Sequence, residues 1–198
     1  MTLPNLIASY QKKETVTQLK KTYSILQQAI KRAEVDNDFM DNWDFTLSAD
    51  EFNNKYIKPY LQVVREYDRD NFPSEIHNIG INGDTVDGYA GFKTNPKLIL
   101  SDGAMLTIDK NSLSINILID INGLRKPNRY GRDVFAFLIQ PKKGIMPYTV
   151  VSSLDDDFTR EELLGSGHPK YCSRNSHGLF CSAVIMMDRW EIKDDYPW

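Results

Sequence analysis

From Leu6 to Ala33 the chain holds a single helical period that no glycine or proline interrupts. Val16, Leu19, Tyr23, Leu26 and Ile30 recur at spacings of three and four, which sets them in one stripe along a helix. Gln18, Lys20, Lys21, Gln27, Gln28, Lys31 and Arg32 fill the remaining faces. A helix of about 30 residues extends roughly 45 Å, which is long for a small domain. A stripe of that length on one side only needs an equally extended partner. The second half of the chain supplies one, as an antiparallel sheet.

Strand signals begin near Lys97. Leu98-Ile99-Leu100 and Met105-Leu106-Thr107-Ile108 flank Ser101-Asp102-Gly103, two apolar runs around an Asp-Gly turn, which reads as a β-hairpin. Ser114–Ile121 and Val134–Ile139 read as two further strands and Tyr148–Ser152 as a short one, with Ala183–Met187 and Trp190–Ile192 as weaker candidates. Ahead of them, 36–44 reads as a connecting loop. Ser48-Ala49-Asp50-Glu51 has capping-box form and predicts a second helical segment near 48–66. That segment would bury Phe52, Tyr56, Tyr60 and Val63 or Val64, with a kink at Pro59. Residues 68–93, rich in Asp, Asn and Gly, read as loop. Helix first and hairpin-linked strands afterwards is α+β order. The expected organisation is one domain over 1–198: a long helix (1–34), a helical and loop insertion (35–96), then sheet and C-terminal loop (97–198).

The 198 residues are 41% hydrophobic and 26% charged, which fits a folded globular chain with a real core. A formal net charge of -3 gives no general attraction to nucleic acid, and none is expected as a partner. Lys12, Lys13, Lys20, Lys21, Lys31 and Arg32 read as a solvated helix face. No run approaches the roughly 18 apolar residues of a membrane span, nor does the N-terminus carry a signal-peptide core. Cys172 and Cys181 enclose a polar, turn-forming segment. A disulfide closing that loop is the preferred reading and would place the protein outside the cytoplasm. Zinc shared with His168 and His177, or two free thiols, are the alternatives.

The segment Thr2-Leu3-Pro4-Asn5-Leu6-Ile7-Ala8-Ser9-Tyr10-Gln11-Lys12-Lys13 runs apolar, then basic, with a proline near its start and no capping signal ahead of it. It resembles the junction in type IV pilin-like proteins, including the pseudopilins of type II secretion, where a membrane-embedded half-helix continues into the soluble domain. The resemblance implies a pilin-like α+β fold with the long helix packed on the sheet. It further implies an apolar half-helix and a cleavable leader upstream of Thr2 in the encoded protein, and inner-membrane anchoring before assembly. Assembly would be with other pilin or pseudopilin subunits, at the cell surface, in the periplasm or outside the cell. The role implied is structural, as a major or minor subunit of a type IV pilus or a type II secretion pseudopilus, with no catalysis.

Between the last two strong strands lies Asp120-Ile121-Asn122-Gly123-Leu124-Arg125-Lys126-Pro127-Asn128-Arg129-Tyr130-Gly131-Arg132-Asp133. Alternating oxygen side chains around a glycine turn can wrap calcium. The same pattern also makes a turn in which Asp and Asn bond their own backbone. It is not an EF-hand, because Arg125 stands where that loop needs glycine and Gly131 where it needs glutamate. Asp-x-Asn-Gly with Pro-Asn-x-x-Gly-x-Asp-x-Phe is similar to a strand–loop–strand of pilin-like proteins, and related major pseudopilins hold calcium in a C-terminal loop. Asp120, Asn122, Asn128 and Asp133 are the candidate ligands, calcium the one candidate cofactor.

Catalytic signals are weak. His77, His168 and His177 sit in polar loop contexts, Ser166-Gly167-His168 lacks the flanks of a nucleophile elbow, and Asp155-Asp156-Asp157 and Asp194-Asp195 read as solvated charge. A small hydrolase would need a deep pocket joining His168 or His177 to an acid. Trp190, Tyr196 and Trp198 crowd the C-terminus. They pack the chain end onto the sheet or present a partner surface. The competing functional reading is therefore a secreted or surface adhesin that binds a glycan or protein through this aromatic end and the 172–181 loop.

Overall fold

The computed structural model describes residues 3–110, 114–150 and 157–198. Thr2 of the N-terminal motif, the end of the Tyr148–Ser152 segment and Asp155-Asp156 lie outside them. Helix α1 spans Leu3–Asn37, roughly 52 Å at helical rise. Its buried side is Thr15, Val16, Leu19, Thr22, Tyr23, Leu26, Ala29, Ile30 and Ala33, so all five stripe residues face the core. The 36–44 stretch is more than a connection. A 3₁₀ turn at Met40–Asn42 buries Met40 and Trp43, and Trp43 stacks on Tyr56 with ring centroids 4.5 Å apart.

Helix α2 (Ala49–Phe52) opens on the expected capping box, with Ser48 Oγ accepting from the Glu51 amide and Glu51 Oε2 from the Ser48 amide. Pro59 has no N–H for the Lys55 carbonyl. The chain responds by widening into a π turn over Asn53–Ile57 and tightening into 3₁₀ geometry over Lys58–Tyr60. Phe52 and Tyr56 are buried and Tyr60 half-buried. Helix does not continue to 66. Val63–Tyr67 is strand β1, and Val64 is exposed on it. Paired β-branched residues just past a proline-broken helix favour extended backbone.

The strands β2 (Lys97–Leu100), β3 (Met105–Lys110), β4 (Ile115–Asp120), β5 (Val134–Gln140) and β6 (Gly144–Pro147) complete a six-stranded antiparallel sheet in sequence order. The hairpin and both central strands fall where the apolar runs place them. β1 and β6 are short edge strands. Pro147 is tolerated in β6 because an edge strand leaves one row of amides unpaired.

Register assigns the two faces. Tyr23 of α1 meets Phe137 at 5.6 Å between rings and donates its hydroxyl to the Ile145 carbonyl of β6. Phe137 pairs with Ile117, and Ile117 with Ile108. Because directly paired side chains point the same way, these residues form the face under α1. The opposite row holds Leu138, Thr107, Lys97 and Tyr67. There the 68–93 segment, legible only as loop, packs Phe72 against Tyr67 and Phe92 against Phe72. Every residue of β5 is buried, as coverage on both faces requires.

Two short helices close the chain, α3 (Arg160–Leu164) and α4 (Cys181–Met187). The candidate strand Ala183–Met187 is thus helical, and Trp190–Ile192 is irregular, with positive φ at Arg189 and Trp190. A five-residue apolar run fits a buried helix as well as a strand. Here Cys181–Ile185 is buried on every side, so no polar face betrayed the period. Among the described residues no helix is long and apolar enough to cross a membrane.

Candidate functional site

Two places combine chemistry with geometry. The first is the start of α1. Leu3, Leu6, Ile7 and Tyr10 stand at i, i+3, i+4 and i+7, the spacing of an apolar helix face, yet they are 70%, 56%, 49% and 67% exposed. No residue of α1 before Thr15 is buried. Beside this stretch a cleft of 970 Å³ runs between Asn5, Ser9 and Val16 on α1 and Trp190 and Ile192 near the C-terminus. Lys12 crosses it to the Lys193 carbonyl at 3.4 Å and to Asp194 at 3.9 Å. The free apolar row itself is visible in the spacing. Its exposure is not, because a stripe looks the same whether or not something covers it.

The second place is the β4–β5 loop, residues 121–133, with Asp120 and Asp133 at its ends. Asp133 Oδ2 accepts from the Asn128 amide at 3.0 Å and from Asn122 Nδ2 at 3.1 Å, and Asp133 Oδ1 accepts from the Arg129 amide. Asp120 Oδ1 accepts from the Asn122 amide at 3.1 Å. The backbone-bonded turn is therefore formed, and the four candidate ligands are joined by hydrogen bonds. Asp120, Asn128 and Asp133 are buried and Asn122 half-buried. Burial raises the carboxyl pKa of Asp120 well above its ordinary value, and the neighbouring Asp133 charge raises it further. Burial also raises Asp133, against the amides that hold its charged form. Among the described residues no three Asp, Glu, His or Cys side chains gather as in a typical metal centre. The loop joins only two carboxylates, and asparagines supply the rest.

This loop also ties the molecule together. The Thr15 hydroxyl of α1 donates to the Arg132 carbonyl at 3.3 Å, the Asn128 carbonyl accepts from the Ile79 amide at 2.8 Å, and the Gly131 carbonyl accepts from Tyr196 Oη at 2.6 Å. Gly131 has φ +76°, and a Cβ there would lie 2.8 Å from Cys181 Sγ. Only glycine suits both the backbone and the contact.

Cys172 and Cys181 form the disulfide, with Cα atoms 4.7 Å apart, so neither thiol is a zinc ligand. The aromatic end does not make one exposed patch. Tyr196 is buried on Gly131, Trp190 lies half-buried with its ring 5.1 Å from Tyr23, and Trp198 is half-buried under Arg132 at 5.2 Å. Packing these rings hides more apolar area than displaying them would. Asp195 pairs with Arg160 at 2.7 Å, and Arg160 also grips the buried Asp188 at 2.7 Å. Of the acidic pair read as solvated, Asp194 is fully exposed, with Lys12 3.9 Å away, while Asp195 is held by Arg160.

The histidines lie apart from the clefts along α1. His77 Nδ1 is 2.6 Å from Asp87 and largely in solvent, while His177 Nε2 is 3.6 Å from an exposed Asp84. The His168 ring stacks on Phe180, its Nδ1 accepts from the Lys170 amide, and burial lowers its pKa. The clefts of 970 and 660 Å³ along α1 contain none of the three.

No curated protein and no solved structure matches the chain. The model of a family of unknown function, DUF6613, matches residues 5–198, and the chain belongs to that family.

Proposed function

We propose that the chain is a pilin-like structural subunit, major or minor, of a type IV pilus or a type II secretion pseudopilus, and that it assembles through the first turns of α1. One observation carries this reading: α1 is a single helix whose later half is embedded in the domain while its first three turns present a largely exposed apolar face. Leu3, Leu6, Ile7 and Tyr10 would be buried by neighbouring subunits, and about 25 cal/mol per Å² of apolar area so covered would favour assembly. The α+β architecture, with α1 laid on an antiparallel sheet, agrees with it. So does the disulfide, which belongs to an oxidising compartment. The role is mechanical, and no side-chain constellation is assigned a catalytic step. The subunit is inner-membrane anchored before assembly and exposed outside the cytoplasm afterwards.

The test is to locate the protein in cells that make it. Surface filaments are sheared off, or pseudopilus assembly is driven by overproduction, and the fraction is probed with antibody to residues 40–198. The expected outcome is label along filaments, with loss of filaments or of secretion on gene deletion. Protein found only as free monomer, with filaments and secretion unaffected by deletion, overturns the reading. A specific glycan or protein ligand bound by that monomer would then favour the adhesin.

A further inference from the structure

We propose that the β4–β5 loop is a binding site for one hard divalent cation of calcium's kind, held by Asp120, Asn122, Asn128 and Asp133. The argument does not depend on filament assembly and starts from atoms that have nothing to bond. Asp120 Oδ2, Asn122 Oδ1 and Asn128 Oδ1 are each shielded from solvent and accept no hydrogen bond. Asp120 is 2% exposed and Asn128 3%. A buried acceptor left empty keeps its full desolvation penalty, larger when charged, so three on one loop are unfavourable unless something fills them.

What fills them is narrowed by chemistry. These three are acceptor oxygens, whereas the loop's other two unpartnered buried atoms are the Arg129 Nε donor and the Tyr130 hydroxyl, and the fourth residue, Asp133, adds a carboxylate bonded to Asn122 and Asn128. An oxygen-only set with two carboxylates and two amides suits calcium and gives no soft donor for zinc or copper. Neither Asp120 nor Asp133 has a basic side chain within 4.0 Å among the described residues. The nearby Arg125 is exposed and donates its Nε to the Asn122 carbonyl at 3.2 Å. A 2+ ion would neutralise both carboxylates at once.

The placement is suited to the task. Asp120 ends β4 and Asp133 immediately precedes β5, so two paired strands of the central sheet fix their spacing. Asn122 and Asn128 come from the turn between. Asn122 now donates Nδ2 to Asp133, and turning that amide over would exchange its nitrogen and oxygen and set Oδ1 beside the carboxylate. Because the loop also holds Thr15, Tyr196 and the Cys181 contact, ion binding would stiffen the junction between α1 and the C-terminus.

The experiment uses the whole chain freed of metal with EDTA and then dialysed. Calcium is added in a calorimeter, and thermal unfolding is followed with and without it. Extracellular calcium modules bind at roughly 10⁻⁴ M. At 10 mM CaCl2, about 100-fold above that constant, Tm is expected to rise about 5–10 °C, with one ion bound per chain and a smaller response to magnesium. Asp120→Asn is expected to unfold in EDTA no lower than wild type, since one of two like charges is gone, and to lose the calcium-induced rise. Asn128→Ala provides a second loss of binding that leaves both carboxylates in place. No heat and no shift in Tm for the wild-type chain at 10 mM calcium overturns the proposal. So does an unchanged calcium response in both variants.

Discussion

The two halves of α1 carry the same kind of pattern and meet opposite fates. Residues 15–33 place an apolar or small side chain at each contact with the sheet and its insertion, and they are buried. Residues 3–10 repeat the spacing with Leu3, Leu6, Ile7 and Tyr10, and they lie in solvent. Nothing in the local sequence separates the halves, since both are continuous helix. What differs is what lies beside them: Tyr23 packs on β5 and β6, whereas the first turns border a cleft toward Trp190 and Ile192. The difference teaches that this helix is held to the domain at one end, and that the other end is open to the contact outside the domain that the proposed assembly requires.

Substitutions break or sharpen that contrast. Leu26→Ala in the embedded half removes a buried side chain and is expected to cost about 2–5 kcal/mol in chemical unfolding. Leu6→Ala in the free half is expected to stay within about 0.5 kcal/mol. Equal effects would show that the free half is covered in the isolated domain. Next in size is the bond that fastens the C-terminal loop behind Gly131. Cys172→Ser with Cys181→Ser opens a ring of about ten residues, for an expected loss of about 2.5–3 kcal/mol by the chain-entropy account. Preservation of full stability would mean that the loop is held by Tyr196 and the Arg160 ion pairs alone.

The opposite face of the sheet gives a pH signature that α1 does not share. Lys97 is wholly buried, with its ammonium 4.8 Å from the Phe72 ring centre and 5.0 Å from that of Phe92. Burial, helped by Lys93 nearby and opposed by Asp87, pulls its pKa down from 10.5 to about 8. The unfolded chain therefore holds a proton between about pH 8 and 10.5 that the folded chain has released. Stability is expected to rise with pH through that window, by on the order of 2 kcal/mol. Lys97→Met should flatten the rise, as measured by denaturant midpoints from pH 7.5 to 10. Stability that falls from pH 8 upward in the wild type would show that the rings hold the ammonium charged.

The sequence carried half of this architecture openly. Long-period features survive translation into structure: the α1 stripe, the Asp102-Gly103 hairpin, the apolar runs of β4 and β5, and the Ser48–Glu51 cap each act through neighbours in sequence. The rest depends on contacts that no local window contains. The 68–93 segment covers a sheet face with Phe72, Tyr89 and Phe92, residues without a common period. β1 continues a segment whose pattern reads as helix, β6 (Gly144–Pro147) carries a glycine and a proline in four residues, and α4 is buried all round and so shows no polar face. At the candidate sites the residue types were legible for the loop, where alternating oxygens mark a turn that can take an ion. The orphan acceptors appear only once burial is known. For Trp190, Tyr196 and Trp198 composition left packing and display both open, and the decisive facts were distant partners: Tyr23, the Gly131 carbonyl and Arg132.

The smallest effect on stability belongs to the variant with the largest expected effect on function. Leu6→Glu with Ile7→Glu changes only exposed positions, so the thermal midpoint of the domain should match wild type. Introduced at the native locus, the same pair should place charge in the helix contact between subunits. The amount of chain in the sheared filament fraction, measured against wild type at equal cellular abundance, tests the central claim. Loss of at least ten-fold from that fraction with an unchanged midpoint is the predicted result, since one buried charge costs more than the roughly 1.4 kcal/mol that ten-fold requires. Undiminished incorporation of the double variant would contradict assembly through the start of α1.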